Sequence, residues 1–76
     1  MNKARRAKLN AIVNALQELK DDLEIVRDEE ELARDNMPES LQGTERYDIM
    51  SESVDAMYEA TDSLEDAIDS LEGVFQ

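Results

Sequence analysis

DNMPESLQGTERYD, residues 35–48, interrupts a chain otherwise built from Leu, Ala, Glu and Asp in helical spacing. It holds the only proline and one of the two glycines. Pro38 has no backbone N–H to donate and disfavours helical geometry at Met37. Gly43 supplies backbone freedom, Thr44 is a helix-capping residue, and Glu45 suits a first helical turn. The stretch therefore reads as the turn of a hairpin at about residues 36–43. One helix precedes it at about 3–35 and one follows at about 45–73, all within a single domain of residues 1–76. Within the turn set of Met37, Pro38, Leu41 and Gly43, the two apolar side chains are expected to fold back over Ala33, Tyr47 and Met50 and close that end of the pair.

Outward from the turn, both flanks repeat apolar residues in steps of three and four, the period of a coiled-coil seam. In heptad terms the first helix offers Leu9, Leu16 and Leu23 at a, and Ile12, Leu19, Val26 and Ala33 at d, with Glu30 interrupting the a row. The second offers Tyr47, Met50, Val54, Met57, Thr61, Leu64, Ile68, Leu71 and Phe75. A short connection makes the helices antiparallel neighbours. Pairing residues whose numbers sum to 80 sets a against d throughout, as in Leu9 with Leu71, Ile12 with Ile68, Leu16 with Leu64 and Val26 with Val54. Flanking charges suggest cross-helix pairs of Arg6 with Glu72 and Lys20 with Glu65, and Glu30 is expected to reach Arg27 or Arg34. The expected fold class is all-α: an antiparallel two-helix, coiled-coil-like hairpin.

Seventy-six residues bury a small core, and chains of this size lean on disulfides, metals or oligomerisation. Cysteine and histidine are both absent. That excludes disulfides, thiolate metal sites, Ser-His triads and histidine acid–base chemistry. The helical di-iron constellation needs histidine as well, and no D-x-D-x-D-G calcium loop is present. No catalytic, cofactor-binding or metal-binding residues are expected, and the chain reads as a non-enzyme. No segment approaches the apolar length of a membrane span, and Asn10 and Asn14 break the apolar run after the basic start, so no signal peptide or membrane contact is expected. The expected location is the cytoplasm.

Oligomerisation remains, and the second helix carries a strip that suits it. Ile49, Ser53, Ala56, Ala60, Ser63, Ala67, Ser70 and Val74 form an uncharged, mostly small-residue row beside the seam, matched on the first helix by Ala4, Ala11, Ala15, Ile25 and Leu32. A helix uncharged across this width expects two neighbours. The simplest closure is a two-fold homodimer making a four-helix bundle.

The net charge of −12 is unevenly spread. Lys3, Arg5, Arg6 and Lys8 open the chain without an acid, whereas residues 47–76 contain no base. Asp48, Glu52, Asp55, Glu59, Asp62, Asp66 and Asp69 follow one another at steps of four and three, one continuous carboxylate stripe about 30 Å long. Solvated helix faces usually mix both signs, because like charges at this spacing destabilise a helix. Direct nucleic-acid binding is disfavoured by repulsion, and beside the plain reading of a solvated face the stripe makes a protein partner with a basic groove, or mimicry of a polyanion, conceivable.

The run NMPESLQGTERYD, followed by an acidic Ala-rich helix, resembles small uncharacterised acidic proteins of phages and prophages of Gram-positive bacteria. In these an N-hydrophobe-P-E-x-L-Q-x-S/T turn joins two charged helices. The resemblance covers the turn closely and the helices in general character. It implies a helical hairpin of phage or mobile-element origin, working in the host cytoplasm, and it brings no catalytic residues. Together with the surface pattern it points to a non-catalytic interaction protein that binds or inhibits a host or defence protein. The alternatives are a DNA-mimicking inhibitor that uses the acidic stripe, and a purely structural oligomerisation module.

Overall fold

The computed structural model describes residues 1–75. Two long helices, α1 (Lys3–Asp35) and α2 (Glu45–Glu72), pack along their length, and single 3₁₀ turns occupy Glu39–Leu41 and Gly73–Phe75. The helices run antiparallel: Phe75 sits with Lys3, Arg6 and Ala7 at the open end, while residues 36–44 close the other. The rod measures 59 × 15 × 15 Å. Its radius of gyration of 17.4 Å far exceeds the roughly 11 Å of a compact chain this long, so no third layer covers the pair.

Each helix starts on a side-chain cap. The Arg5 N–H donates to Asn2 Oδ1 at 2.8 Å, and the Tyr47 N–H donates to Thr44 Oγ1 at 3.4 Å. Between the helices, Pro38 is extended (φ −55°, ψ 144°) and starts the 3₁₀ turn, whose Leu41 N–H donates back to the Pro38 carbonyl at 2.8 Å. The turn is tied across by Gln42, whose amide donates to the Met37 carbonyl at 3.2 Å. Two expectations for this segment need correction. Met37 is half-buried, but Leu41 and Ala33 are exposed, so Met37 alone folds back towards the pair, with the Gln42 amide bridging the turn. Gly43 has no positive φ, and a Cβ there would meet nothing within 4 Å, so neither conformation nor space requires glycine.

The seam on α2 runs through Tyr47, Met50, Val54, Met57, Thr61, Leu64, Ile68, Leu71 and Phe75, all buried or half-buried. Thr61 lies deep within it because its hydroxyl donates to the Met57 carbonyl at 2.7 Å, which leaves no unsatisfied polar group.

The seam on α1 differs from the expected one. Leu9, Leu16, Leu23 and Glu30 line it, but the second row is Val13, Lys20, Arg27 and Arg34 rather than Ile12, Leu19, Val26 and Ala33. Ile12, Leu19 and Val26 are each more than half exposed. The helix is thus rotated by one position about the a row. Physically, the cationic row brings long unbranched stems to the seam and sets Arg27 over the Tyr58 ring of α2. The long stems of Lys20, Arg27 and Arg34 cover the seam while their heads reach its edge, leaving these side chains only 13, 15 and 19% exposed. At the turn end Arg34 accordingly lies within electrostatic reach of Tyr47.

Candidate interaction surfaces

Where the rotated cationic row meets α2, it forms a polar clasp. The Arg27 guanidinium carbon lies 4.1 Å from the centroid of the Tyr58 ring, and the Tyr58 hydroxyl donates to Glu31 Oε2 at 2.6 Å. One aromatic side chain therefore takes a cation on its face and a carboxylate on its tip, both from α1. The hydrogen bond to Glu31, helped by partial desolvation, raises the Tyr58 phenol above its ordinary value of 10.0. Desolvation pulls the Arg27 guanidinium down, but its hydrogen bond and charge contact with Asp28, with Tyr58 and Glu24 behind, more than offset this and leave it raised. For Arg34 the hydrogen bond to Asp35 dominates and again raises it. The clasp was readable from heptad positions, since Arg27 and Tyr58 both occupy e and e faces e between antiparallel helices.

The clasp makes a specific pH dependence. Tyr58→Phe keeps the ring under Arg27 and removes only the hydroxyl, so it should lower the melting temperature at neutral pH. Because the folded-state pKa is raised, the hydroxyl's contribution is complete below 10.0 and is lost as pH rises through the raised value. Melting curves of the two proteins should converge in that alkaline range, and a constant offset across it would contradict the assignment.

The ion pairs formed are local ones. Lys20 Nζ lies 3.8 Å from Glu24, Arg27 bonds Asp28 at 3.0 Å, and Arg34 lies 3.9 Å from Glu31 and 3.1 Å from Asp35. The expected Arg6–Glu72 and Lys20–Glu65 bridges do not form among the described residues, and Glu31 and Asp35, not Glu30, engage Arg34. The reason is distance along the helix: neighbours at i+1 to i+4 are already in place, whereas a cross-helix pair must first stretch both side chains over the seam.

This leaves α2's carboxylates without cations. Asp48, Glu52, Asp55, Glu59, Asp62, Asp66 and Asp69 are all exposed, and among the described residues no ion pair involves any of them. Beside them the small-residue strip is exposed throughout, from Ile49 through Ser53, Ala56, Ala60, Ser63 and Ala67 to Val74. Ser53 turns its hydroxyl back onto the Ile49 carbonyl at 2.9 Å, so even this polar member offers the surface mostly carbon.

Beside Ile49 and Val74, most of the large exposed apolar side chains lie on α1. Ile12, Leu19, Ile25, Val26 and Leu32 of α1 all lie open: Ile25 and Leu32 belong to the expected strip, and Ile12, Leu19 and Val26 join them because the cationic row took their place in the seam. Two open grooves flank the rod. One, of about 580 Å³, is lined by Glu30, Glu45, Arg46, Ile49 and Met50 near the turn. The other, of about 370 Å³, is lined by Lys3, Arg6, Ala7, Asn10 and Phe75 at the open end. Among the described residues, no three metal-ligating side chains converge, and no helix is long and apolar enough to cross a membrane. Compared with family models, curated proteins and solved structures, the chain matches none.

Proposed function

We propose that this chain is a non-catalytic interaction protein of phage or mobile-element type, acting in the host cytoplasm. It self-associates as a two-fold dimer through its exposed apolar surface and binds or inhibits a host or defence protein through the acidic face of α2. The observation that carries this reading is the unpaired stripe from Asp48 to Asp69, exposed along one side of the rod while the seam cations are held by α1's own acids. Carboxylates kept together at helical neighbour spacing repel one another, so their concentration costs helix stability that a basic partner would return. A DNA-binding protein is the partner class that fits the length of the stripe, about 30 Å of uninterrupted negative charge.

The test changes Asp55, Asp62 and Asp69 to Asn and compares the proteins captured from host lysate by the original and altered chains. The altered chain should melt slightly higher and lose the specific capture at low salt. The difference between chains should narrow as salt screens the attraction. Displacement of the captured protein by duplex DNA would identify the stripe as a phosphate mimic. Equal capture by both chains at every salt concentration would overturn the role of the stripe.

A further inference from the structure

We infer that the second copy lies antiparallel along α1, about a two-fold axis beside Leu19, with Lys8 of each copy against Glu29 of the other. This deepens the self-association part of the proposed function and rests on it. The area is sufficient: the chain exposes 5583 Å², about 850 Å² more than a compact protein of its mass. A standard interface takes about 800 Å² from each partner.

Charge complementarity selects the arrangement. Lys8, Ile12, Leu19, Val26 and Glu29 share one strip of α1, and all are exposed. The strip is self-complementary when reversed about Leu19. Ile12 then meets Val26 of the second copy, Ala15 lies level with Leu23 and one residue's rise of about 1.5 Å from Asp22, and the two Leu19 side chains meet at the axis. Lys8 falls within one residue's rise, about 1.5 Å, of the level of Glu29; both are exposed and neither is in an ion pair among the described residues. The wider pattern agrees, because the base-only segment Lys3–Lys8 of one copy then lies over the acid-rich half of the other's α1, which holds Asp28, Glu29 and Glu31. A parallel arrangement would set Lys8 on Lys8, Asp22 on Asp22 and Glu29 on Glu29. Like charges across an interface reject a partner as effectively as complementary ones select it.

The experiment uses two single charge reversals, Lys8→Glu and Glu29→Lys, both outside the seam and both checked for unchanged helix content. Sedimentation equilibrium reads the dimer dissociation constant, and native mass spectrometry reads mixed species. Each variant alone places like charges at both symmetry-related contacts and should dimerise about tenfold more weakly. Mixed in equal amounts, the two variants restore both contacts and should form heterodimer in preference to either homodimer. The double variant Lys8→Glu/Glu29→Lys should homodimerise as the original does. A dimeric original whose variants show no such preference overturns this register while leaving self-association intact. A monomeric original overturns both.

Discussion

Ile68→Asp is expected to unfold the hairpin, leaving a far-ultraviolet circular dichroism spectrum without helix and a thermal scan without a transition. Ile68 is 3% exposed, one of three buried apolar residues among the described residues, the others being Val13 and Val54. A domain of this length holds about 4–11 kcal/mol of stability. Truncating a buried isoleucine to alanine removes about 2–5 kcal/mol of that. A carboxylate adds the cost of an uncompensated charge, several kcal/mol more, and no basic residue follows Arg46 on α2 to neutralise it. The comparison variant is Ile12→Asp, which alters the exposed neighbour of Val13. On the heptad assignment that places Ile12 opposite Ile68 the two changes are equally damaging, but the observed rotation of α1 makes only Ile68→Asp fatal to the helices. Loss of the fold in both variants would return α1 to the a/d seam.

Changing Lys20, Arg27 and Arg34 together to Glu is expected to open the hairpin at low salt and to let it partly re-form at high salt. Among the described residues these three side chains are the most covered cations and the only ones that line the seam. The replacement shortens three stems that shield apolar residues, and it sets three further carboxylates against a helix that holds no base beyond Arg46. The Debye length falls from about 10 Å at 0.1 M salt to about 3 Å at 1 M, so the repulsive part is recoverable and the lost covering is not. Met at the same three positions separates the two effects. It keeps an unbranched apolar stem without charge, and should retain the fold with weak salt dependence. Thermal melts of the Glu and Met triple variants at both salt levels check this. A Glu variant as stable as the original at low salt would show that α1 does not depend on its cationic row.

The behaviour of that row also explains which parts of the architecture were legible in the amino-acid pattern. The break at Pro38 and the two helices around it follow from backbone chemistry, and the α2 seam follows from apolar spacing, because its flanks are Asp, Glu and small residues that leave no rival row. On α1 the a row of Leu9, Leu16 and Leu23 has a candidate partner row on each side. Hydropathy alone chooses Ile12, Leu19 and Val26 over Val13, Lys20 and Arg27, since it scores a lysine or arginine by its head. The molecule weighs the stem as well, and adds the Tyr58 ring of a neighbouring helix that a single-helix pattern does not contain. The candidate surfaces inherit the same split. The acidic stripe was visible as spacing, whereas the exposed α1 row emerged only once the seam was known.

The turn at residues 36–44 orders the assembly of the molecule in time. Closing a loop of about ten residues takes tens of nanoseconds, so the layers nearest Met37 meet first, and each later layer zips onto a hairpin already begun. Contacts at the open end, around Leu9, Leu71 and Phe75, join residues far apart in the chain. They form last and open first. Both helix termini there also carry charges of the sign the helix dipole disfavours, bases at the start of α1 and acids at the end of α2. In the inferred antiparallel dimer, the early-folding turn half of each copy lies beside the late-folding open half of the other. Each hairpin then protects the end that its neighbour is slowest to close, and hydrogen exchange near Leu9 should slow with rising protein concentration while exchange near Met37 stays unchanged.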